Sequence, residues 1–458
     1  MIESMRAAFS LPDLRRRILF TVMILVIYRL VANIPVPGVD LSAWLAFTSS
    51  STTNQVVNFL DLLSGGAVRN FSVMAMGVYP YITASIIIQL LTPIIPQLQE
   101  MDSEGESGRN RKNRITYFLT VPLSLLQAIG QIRLVGFSLG AGGADGLAQI
   151  MPNFGFAPEQ LLPTFTTLLA MMGGTMFAIW MGELITEDGI GQGISLIIFG
   201  GIVAQILPGI AGLFSLDDVT ARIFTVVAFL LITVLTIFVI VIVQEGQRRI
   251  PVQYGRRVRG RKVYQGQSSY VPLKVNTAGM IPIIFANSIL IFPSVLAGLF
   301  ISGNGGFIDT VATAVSRFGN ADPSVAPIGF TLYWLFFFIL VVGFTFFYTD
   351  VMVRQQNIPQ TLQRQGGFIP GIRPGKRTED YITKVVRRIT FAGAVFLGTI
   401  AVLPGIMQLL GVILNIPGIE QSTLVISGSG LIIVVGVVID TMRQLESQLL
   451  MRQYEGFF

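Results

Sequence analysis

Residues 222–243 read RIFTVVAFLLITVLTIFVIVIV, an apolar run in which Arg222 is the sole charged side chain. A helix needs about 20 apolar residues to cross the roughly 30 Å hydrocarbon core of a bilayer. The segment is therefore predicted to span a membrane, and the same criterion predicts nine others. The ten predicted spans lie near residues 18–34, 73–95, 115–136, 161–182, 190–210, 222–243, 277–299, 329–349, 389–410 and 423–440.

The composition agrees with a membrane protein. Of the 458 residues, 52% are hydrophobic and 12% are charged, whereas soluble domains carry about 25% charged residues. Cysteine and histidine are absent, which excludes disulfides, thiolate or imidazole metal sites, and Cys–His or Ser–His catalysis. We expect no metal and no other cofactor.

The distribution of basic residues predicts the topology. Of the 31 Lys and Arg residues, 26 fall in the N-terminus, the alternate loops and the C-terminus, and five fall on the opposite side. Such a bias marks the cytoplasmic side of a membrane protein. Ten spans with both termini in the cytoplasm are therefore predicted, and the net charge of +6 would favour anionic lipid.

The predicted spans divide into two sets of five. Residues 1–210 would form an N-terminal half, residues 211–440 a C-terminal half with basic cytoplasmic loops at 244–276 and 350–388, and residues 441–458 a cytoplasmic tail. The count suits an inverted repeat, a common plan in membrane transport proteins, although the two halves share no clear sequence similarity.

One apolar stretch is too short to span. Residues 56–66 (VVNFLDLLSGG) would form a re-entrant segment or an amphipathic helix outside the membrane. Within the spans, uncharged polar residues such as Thr83, Gln127 and Asn287 would hydrogen-bond between helices or form a polar seam. Isoleucine-rich runs would face lipid or meet at a hydrophobic constriction.

The two basic loops carry more positive charge than the orientation of the membrane spans requires. A dense cluster of cations occupies residues 256–262, and residues 371–375 place Arg373 between two Gly/Pro turns. Anionic lipid would bind such charges. Rigid turns that present an arginine also suit a docking surface for phosphate or carboxylate groups, on RNA or on an acidic protein.

Several motifs, in order along nearly the whole chain, resemble the SecY family, the central subunit of the Sec translocon. They are IPVPG at 34–38, YPYITASIIIQLL at 79–91, EGESGR at 104–109, GELITE with GQGIS at 182–195, PLKVN at 272–276 and FIPGIRPG at 368–375. The resemblance implies an all-α membrane protein whose ten transmembrane helices form two pseudo-symmetric halves, like a clamshell, around an hourglass pore.

The resemblance also implies the parts of a protein-conducting channel with no catalytic residues. A short re-entrant helix at about 56–66 would plug the pore, through Phe59, Leu60, Leu62, Ser64, Gly65 and Gly66. A constriction would be formed by Val78, Ile82, Ile194, Ile198, Ile284 and Ile433. Each of the first two pairs is spaced i, i+4 and so shares a helix face.

A lateral gate would lie between the second and third spans and the seventh and eighth, lined by Gln89, Gln127 and Asn276. The resemblance implies docking of the ribosome and the SecA motor at Arg256, Arg257, Arg261, Lys262 and Arg373. The other implied partners are SecE, SecG, signal-sequence-bearing polypeptides and anionic lipids. The implied location is the bacterial inner membrane, in multi-pass form.

Two other functions of membrane proteins, secondary transport and intramembrane proteolysis, fit the sequence less well. A secondary transporter usually places an ionisable coupling residue at mid-membrane, and the predicted spans offer no evident one. An intramembrane protease would need paired aspartates, a serine with a base, or a metal site, whereas Asp350 and Asp440 lie at span ends.

Overall fold

The computed structural model describes most of the chain. The described residues are 9, 11–44, 64, 66–68, 70–138, 150–155, 157–214, 219–254, 257–259, 262–264, 268–300, 311, 327–356, 358–414 and 428–455.

Helices dominate these residues, because a backbone in hydrocarbon must satisfy its own hydrogen bonds. In chain order they are α1 (Pro12–Val31), α2 (Tyr79–Leu91), α3 (Pro96–Ser103), α4 (Glu106–Ser138), α5 (Leu161–Asp188), α6 (Gly193–Phe214), α7 (Val219–Glu245), α8 (Ile281–Phe300), α9 (Pro327–Gln356), α10 (Ile358–Arg364), α11 (Lys376–Leu414) and α12 (Gly428–Glu455).

Each predicted span overlaps one of these helices. Among the described residues, four helical stretches are long and apolar enough to cross a membrane: Glu106–Arg133, Leu161–Asp188, Ile328–Arg364 and Lys376–Leu410. Four shorter apolar stretches lie at Tyr79–Leu91, Gly193–Ile206, Phe229–Glu245 and Ile281–Pro293.

Several helix ends differ from the predicted span ends. Helices α4, α11 and α12 continue well beyond the apolar segments, since polar residues propagate a helix that is already formed. Helix α2 starts at Tyr79 rather than near residue 73, with Pro80 in its first turn, where proline is favoured. Helix α6 runs through Phe214, so the expected division after residue 210 falls within a helix.

The basic loops contain strands, which the expected all-α class did not include. Strand β1 (Gln247–Tyr254) pairs antiparallel with β4 (Ser268–Lys274) and with β5 (Gly367–Phe368). Strands β2 (Arg257–Arg259) and β3 (Lys262–Tyr264) form a separate ribbon. Ile250 and Val252 alternate with exposed residues along β1, a period-2 pattern that the surrounding charges obscured.

A small second core joins the two basic loops. Side chains from β1, β4, α10 and α11 pack with those around β5, so the two loops form one body. Its buried members are Ile250, Val252, Leu273, Leu362, Ile369, Ile382 and Val385.

The apolar helices pack in two sets of similar order. In the first set α2 packs on α4, α4 on α5, α5 on α6, and α1 on both α5 and α6. In the second set α8 packs on α9, α9 on α11, α11 on α12, and α7 on α12. The sets meet where α8 contacts α2 and α4, and again where α6 contacts α7 and α12.

Glycines allow the closest approach of α9 and α11. A Cβ atom at Gly405 would lie 2.3 Å from Trp334, and one at Gly398 would lie 2.7 Å from Phe338. The two aromatic rings therefore lie directly on the backbone of α11. Small residues commonly serve this role between membrane helices.

Candidate functional site

The six expected constriction residues belong to the main apolar core or pack against it, and this core takes in residues from most of the helices. Val78 caps α2 and Ile82 lies on it, Ile194 and Ile198 lie on α6, Ile284 on α8 and Ile433 on α12. Five of them are buried in the main core and Ile194 packs against it partly buried. Four helices thus carry the six residues, all of which have branched aliphatic side chains.

A tight turn between α5 and α6 positions the α6 pair. The backbone N–H of Gly193 donates to the Thr186 hydroxyl (2.9 Å), which in turn donates to the Gly182 carbonyl (2.9 Å). A Cβ at Gly193 would lie 1.7 Å from that carbonyl oxygen, and a Cβ at Gly182 would lie 3.0 Å from Ile194. Gly193 therefore requires glycine, a side chain at Gly182 would crowd Ile194, and the turn fixes where Ile194 begins α6.

Hydrogen bonds tie α2 to its neighbours. The Gln127 amide of α4 donates to the Thr83 hydroxyl of α2 at 3.2 Å. The Tyr79 hydroxyl of α2 donates to the Ser288 carbonyl of α8, also at 3.2 Å, and so joins the two helix sets. The sequence did not indicate that Tyr79 and Ser288 form a pair, because they are 209 positions apart.

Buried polar atoms remain along this junction. Gln127 Oε1 on α4, and Asn287 Nδ2 and Ser288 Oγ on α8, have no hydrogen-bond partner among the described residues. Unpaired polar atoms weaken a closed interface, since each carries a desolvation cost.

Two of the expected gate residues make local hydrogen bonds. Gln89 donates to Ser85 on its own helix, and Asn276 donates to the Gly279 carbonyl in the loop before α8. Both bonds are local, so neither joins the helix sets. Thr83 and Asn287, which the sequence showed as polar residues inside apolar segments, lie on the helices that do meet.

Two of the expected plug residues lie in the described part of the chain. The buried Tyr28 hydroxyl of α1 donates to the Ser64 carbonyl at 2.8 Å. Gly66 adopts a left-handed φ of 85°, and a Cβ there would lie 3.0 Å from the Arg29 guanidinium. The expected plug residues outside the described residues are Phe59, Leu60, Leu62 and Gly65.

The expected docking residues lie on the two basic loops. Arg373 is exposed between Gly371 (φ 81°) and Gly375 (φ 107°). Its carbonyl accepts from the Thr378 hydroxyl at 3.0 Å, and the turn packs through Ile369 on the small core. Arg257 lies on β2 and Lys262 on β3, and Arg256 and Arg261 are outside the described residues.

The fold defines a multi-pass helical membrane protein with a large apolar core. The SecY family model matches residues 72–442. The chain belongs to the SecY family.

Relatives match the chain at full length. It is 40% identical to the protein translocase subunit SecY of Halalkalibacterium halodurans over 100% of both chains. It is 41% identical to that of Thermus thermophilus, with 100% of this chain and 98% of the relative covered.

Solved structures of protein-conducting channels share the fold. A structure titled "The structure of a protein conducting channel" matches with a TM-score of 0.63 at 19% identity, covering 94% of this chain and 91% of the other. Sec61 in the canine ribosome-channel complex matches with a TM-score of 0.62 at 19% identity, over the same shares of each chain.

Proposed function

We propose that this chain is the channel-forming subunit of a protein translocase. It passes unfolded secretory polypeptides across the membrane and releases membrane segments sideways into lipid. The observation that carries the proposal is the match of residues 72–442 to the SecY family. The chain moves polypeptide and is assigned no chemical step.

Val78, Ile82, Ile194, Ile198, Ile284 and Ile433 form the constriction of the idle channel. Aliphatic side chains exclude water from a narrow passage, and a dry passage blocks ions. The same side chains yield to a passing polypeptide because they offer it no specific bonds. A plug near residues 56–66 would close the outer side, and the Tyr28–Ser64 hydrogen bond supports its attachment to α1.

The clamshell arrangement is part of the proposal. The similar packing order of α1–α6 and α7–α12 supports two pseudo-symmetric halves. The contact of α6 with α7 and α12 would be the hinge. The contact of α8 with α2 and α4 would be the gate, because polar atoms are buried there without partners.

Driving partners would dock on the two basic loops, which share one small core. The exposed Arg373 turn suits phosphate or carboxylate recognition. We assign this surface to the ribosome and the SecA motor, with SecE and SecG as membrane subunits and anionic lipid beside the cations. The protein would reside in the bacterial inner membrane with both termini in the cytoplasm.

The absence of cysteine allows a direct test. Ile284→Cys would introduce the single thiol of the chain. A secretory precursor bearing one cysteine is stalled in transit through membranes that contain this variant. A disulfide is expected when the precursor cysteine reaches the constriction, and its yield should follow the stalling position.

A matched control places the thiol at Val227→Cys, an exposed position on α7. It should form no position-dependent disulfide. Absence of the Ile284→Cys product in membranes that translocate would exclude Ile284 from the conduit. Equal yields at both positions would show that the precursor passes elsewhere.

A further inference from the structure

Three side chains from three helices meet beside the proposed constriction. The Tyr117 hydroxyl of α4 donates a short hydrogen bond to the Glu183 carboxylate of α5. The ring of Tyr117 stacks on that of Tyr81 of α2, with centroids 5.6 Å apart and an interplanar angle of 25°. All three side chains are partly buried. We call Tyr81, Tyr117 and Glu183 the tyrosine–glutamate triad.

The triad is stronger than an ordinary helix contact. A hydrogen bond from a hydroxyl to a carboxylate is roughly twice as strong as one between neutral groups. Stacked aromatic rings add attraction beyond their buried area. The triad therefore resists sliding of α2 and α4 against α5.

Each end of the triad adjoins a residue pair of the proposed constriction. Tyr81 precedes Ile82 on α2 and lies three residues after Val78, so fixing Tyr81 fixes the first turn of that helix. At the other end, Glu183 follows Gly182. A Cβ at Gly182 would lie 3.0 Å from Ile194. The triad thus bridges the backbone that carries Val78 and Ile82 to the backbone that carries Ile194 and Ile198.

We infer that Tyr81, Tyr117 and Glu183 are positioning residues that hold the two constriction pairs of the first helix set in register while the channel is idle. The inference rests on the proposed function. The first helix set then moves as one body, and opening is confined to its junction with α8. Without the triad, α2 would shift against α5 and α6, and the constriction would leak.

The test compares ion leak through idle channels in intact complexes reconstituted in lipid bilayers. Tyr117→Phe removes one oxygen atom, and Glu183→Ala removes the acceptor. Each is expected to raise the leak about tenfold, the order of change for loss of a hydrogen bond to a charged group. Glu183→Gln keeps an acceptor and should raise the leak less than either. Tyr333→Phe removes a buried hydroxyl on α9, away from the triad, and should match the unmodified channel.

The double variant Tyr117→Phe/Glu183→Ala separates positioning from general damage. Because both changes break one bond, the double variant should leak no more than the worse single variant. The thermal unfolding midpoints of Tyr117→Phe and Tyr333→Phe should be similar. A leak from Tyr117→Phe equal to that of Tyr333→Phe would overturn the inference, as would independent, multiplying effects of the two changes.

A second measurement tests directly whether the two constriction pairs keep their positions relative to each other. Ile82→Cys and Ile198→Cys are introduced together, and the yield with a short bifunctional thiol crosslinker is followed in the Tyr117→Phe and Tyr333→Phe backgrounds. A yield altered several-fold by Tyr117→Phe alone supports the triad, and equal yields contradict it. This readout needs no translocation. An unmodified complex that passes no precursor would therefore refute the proposed function separately.

Discussion

Asp40 shows how one carboxylate organises a connection outside the apolar helices. It accepts hydrogen bonds from the Ser42 hydroxyl (2.5 Å) and from the backbone N–H groups of Ser42 (3.0 Å) and Ala43 (3.3 Å). These bonds begin the helical turn at residues 41–44. The hydrogen bond from Ser42, with those from the backbone, lowers the pKa of Asp40 below its ordinary value.

This lowered pKa predicts an acid-sensitive turn. A group whose folded pKa is depressed stabilises the fold above its unfolded pKa, about 3.9 for aspartate, and loses that effect as pH falls through the folded pKa. Trp44 ends the turn and packs edge-on against Phe71 with centroids 5.1 Å apart. In a variant whose other tryptophans are replaced by phenylalanine, Trp44 emission should change only below about pH 4.

Asp40→Asn provides the control, because asparagine also caps a helix but does not titrate. Its Trp44 emission should stay constant across the same pH range. An acid transition that persists in Asp40→Asn would assign the change to another group.

Arg373 is expected to serve docking rather than folding. Its side chain is exposed, and exposed charges contribute little to stability. Arg373→Glu should therefore abolish most translocation driven by the motor or the ribosome and leave the unfolding midpoint unchanged. Translocation is measured by protease protection of a precursor in vesicles. Arg16→Glu, a charge reversal at an exposed position on α1 outside both basic loops, is the matched control, and equal losses in both would contradict a specific docking role.

Helix packing depends on which glycine faces which neighbour. A Cβ at Gly174 of α5 would lie 2.2 Å from the Val73 carbonyl, whereas a Cβ at the adjacent Gly173 would meet nothing within 4 Å. A side chain would therefore clash with the backbone at Gly174 but would be accommodated at Gly173, although the two glycines are adjacent on one helix.

The same substitution should have opposite effects at these two positions. Gly174→Ala should destabilise the protein by about 1–3 kcal/mol, because the backbone of the segment before α2 must move. Gly173→Ala should be neutral or stabilising by up to about 1 kcal/mol, since alanine favours the helix. Thermal unfolding in detergent measures both, and a midpoint for Gly174→Ala at or above that of Gly173→Ala would contradict the observed packing.

At the scale of helices and strands, the sequence predicted where the helices lie better than it predicted which elements pack against one another. Apolar length located the membrane segments, because hydrocarbon demands it. The strands of the basic loops escaped notice, since charged residues interrupt their alternation and the burial of Ile250 and Val252 depends on distant segments, including α10 and α11. The contact of Trp334 with Gly405 depends on two helices meeting, and no local pattern encodes it.

At the scale of the whole molecule, the proposed seal against ions should depend on which isoleucine side chains point into the constriction. Ile198 and Ile197 are adjacent on α6 and are both buried, but they point about 100° apart. Ile198→Asn should raise ion leak through the idle channel because a polar side chain wets the constriction. Ile197→Asn should lower stability with little leak, since it buries an amide outside the passage.

Conductance of reconstituted channels distinguishes the two variants, and the unfolding midpoint checks that both are folded. Equal leak from Ile197→Asn and Ile198→Asn would show that any damage to the apolar core opens the channel. Unchanged leak from Ile198→Asn would remove Ile198 from the seal.

The candidate site was only partly readable from the sequence. The i, i+4 spacing of the constriction pairs is local, so it was visible before the fold. The Gln127–Thr83 and Tyr79–Ser288 hydrogen bonds and the tyrosine–glutamate triad join distant segments, and their polar residues look like ordinary interruptions of apolar runs. The gate assignments of Gln89 and Asn276 rested on resemblance, whereas each makes a local bond.

Helix α11 has 39 residues, so at 1.5 Å per residue it is about 58 Å long, nearly twice the roughly 30 Å hydrocarbon thickness. It begins directly after the Arg373 turn. Pro404 lies inside the helix and can kink it, so the stretch before Pro404, about 42 Å long, acts as the lever: a swing of about 5° about its far end displaces the near end by about 4 Å. A partner that grips the Arg373 turn can therefore apply torque to helices deep in the bilayer without entering it.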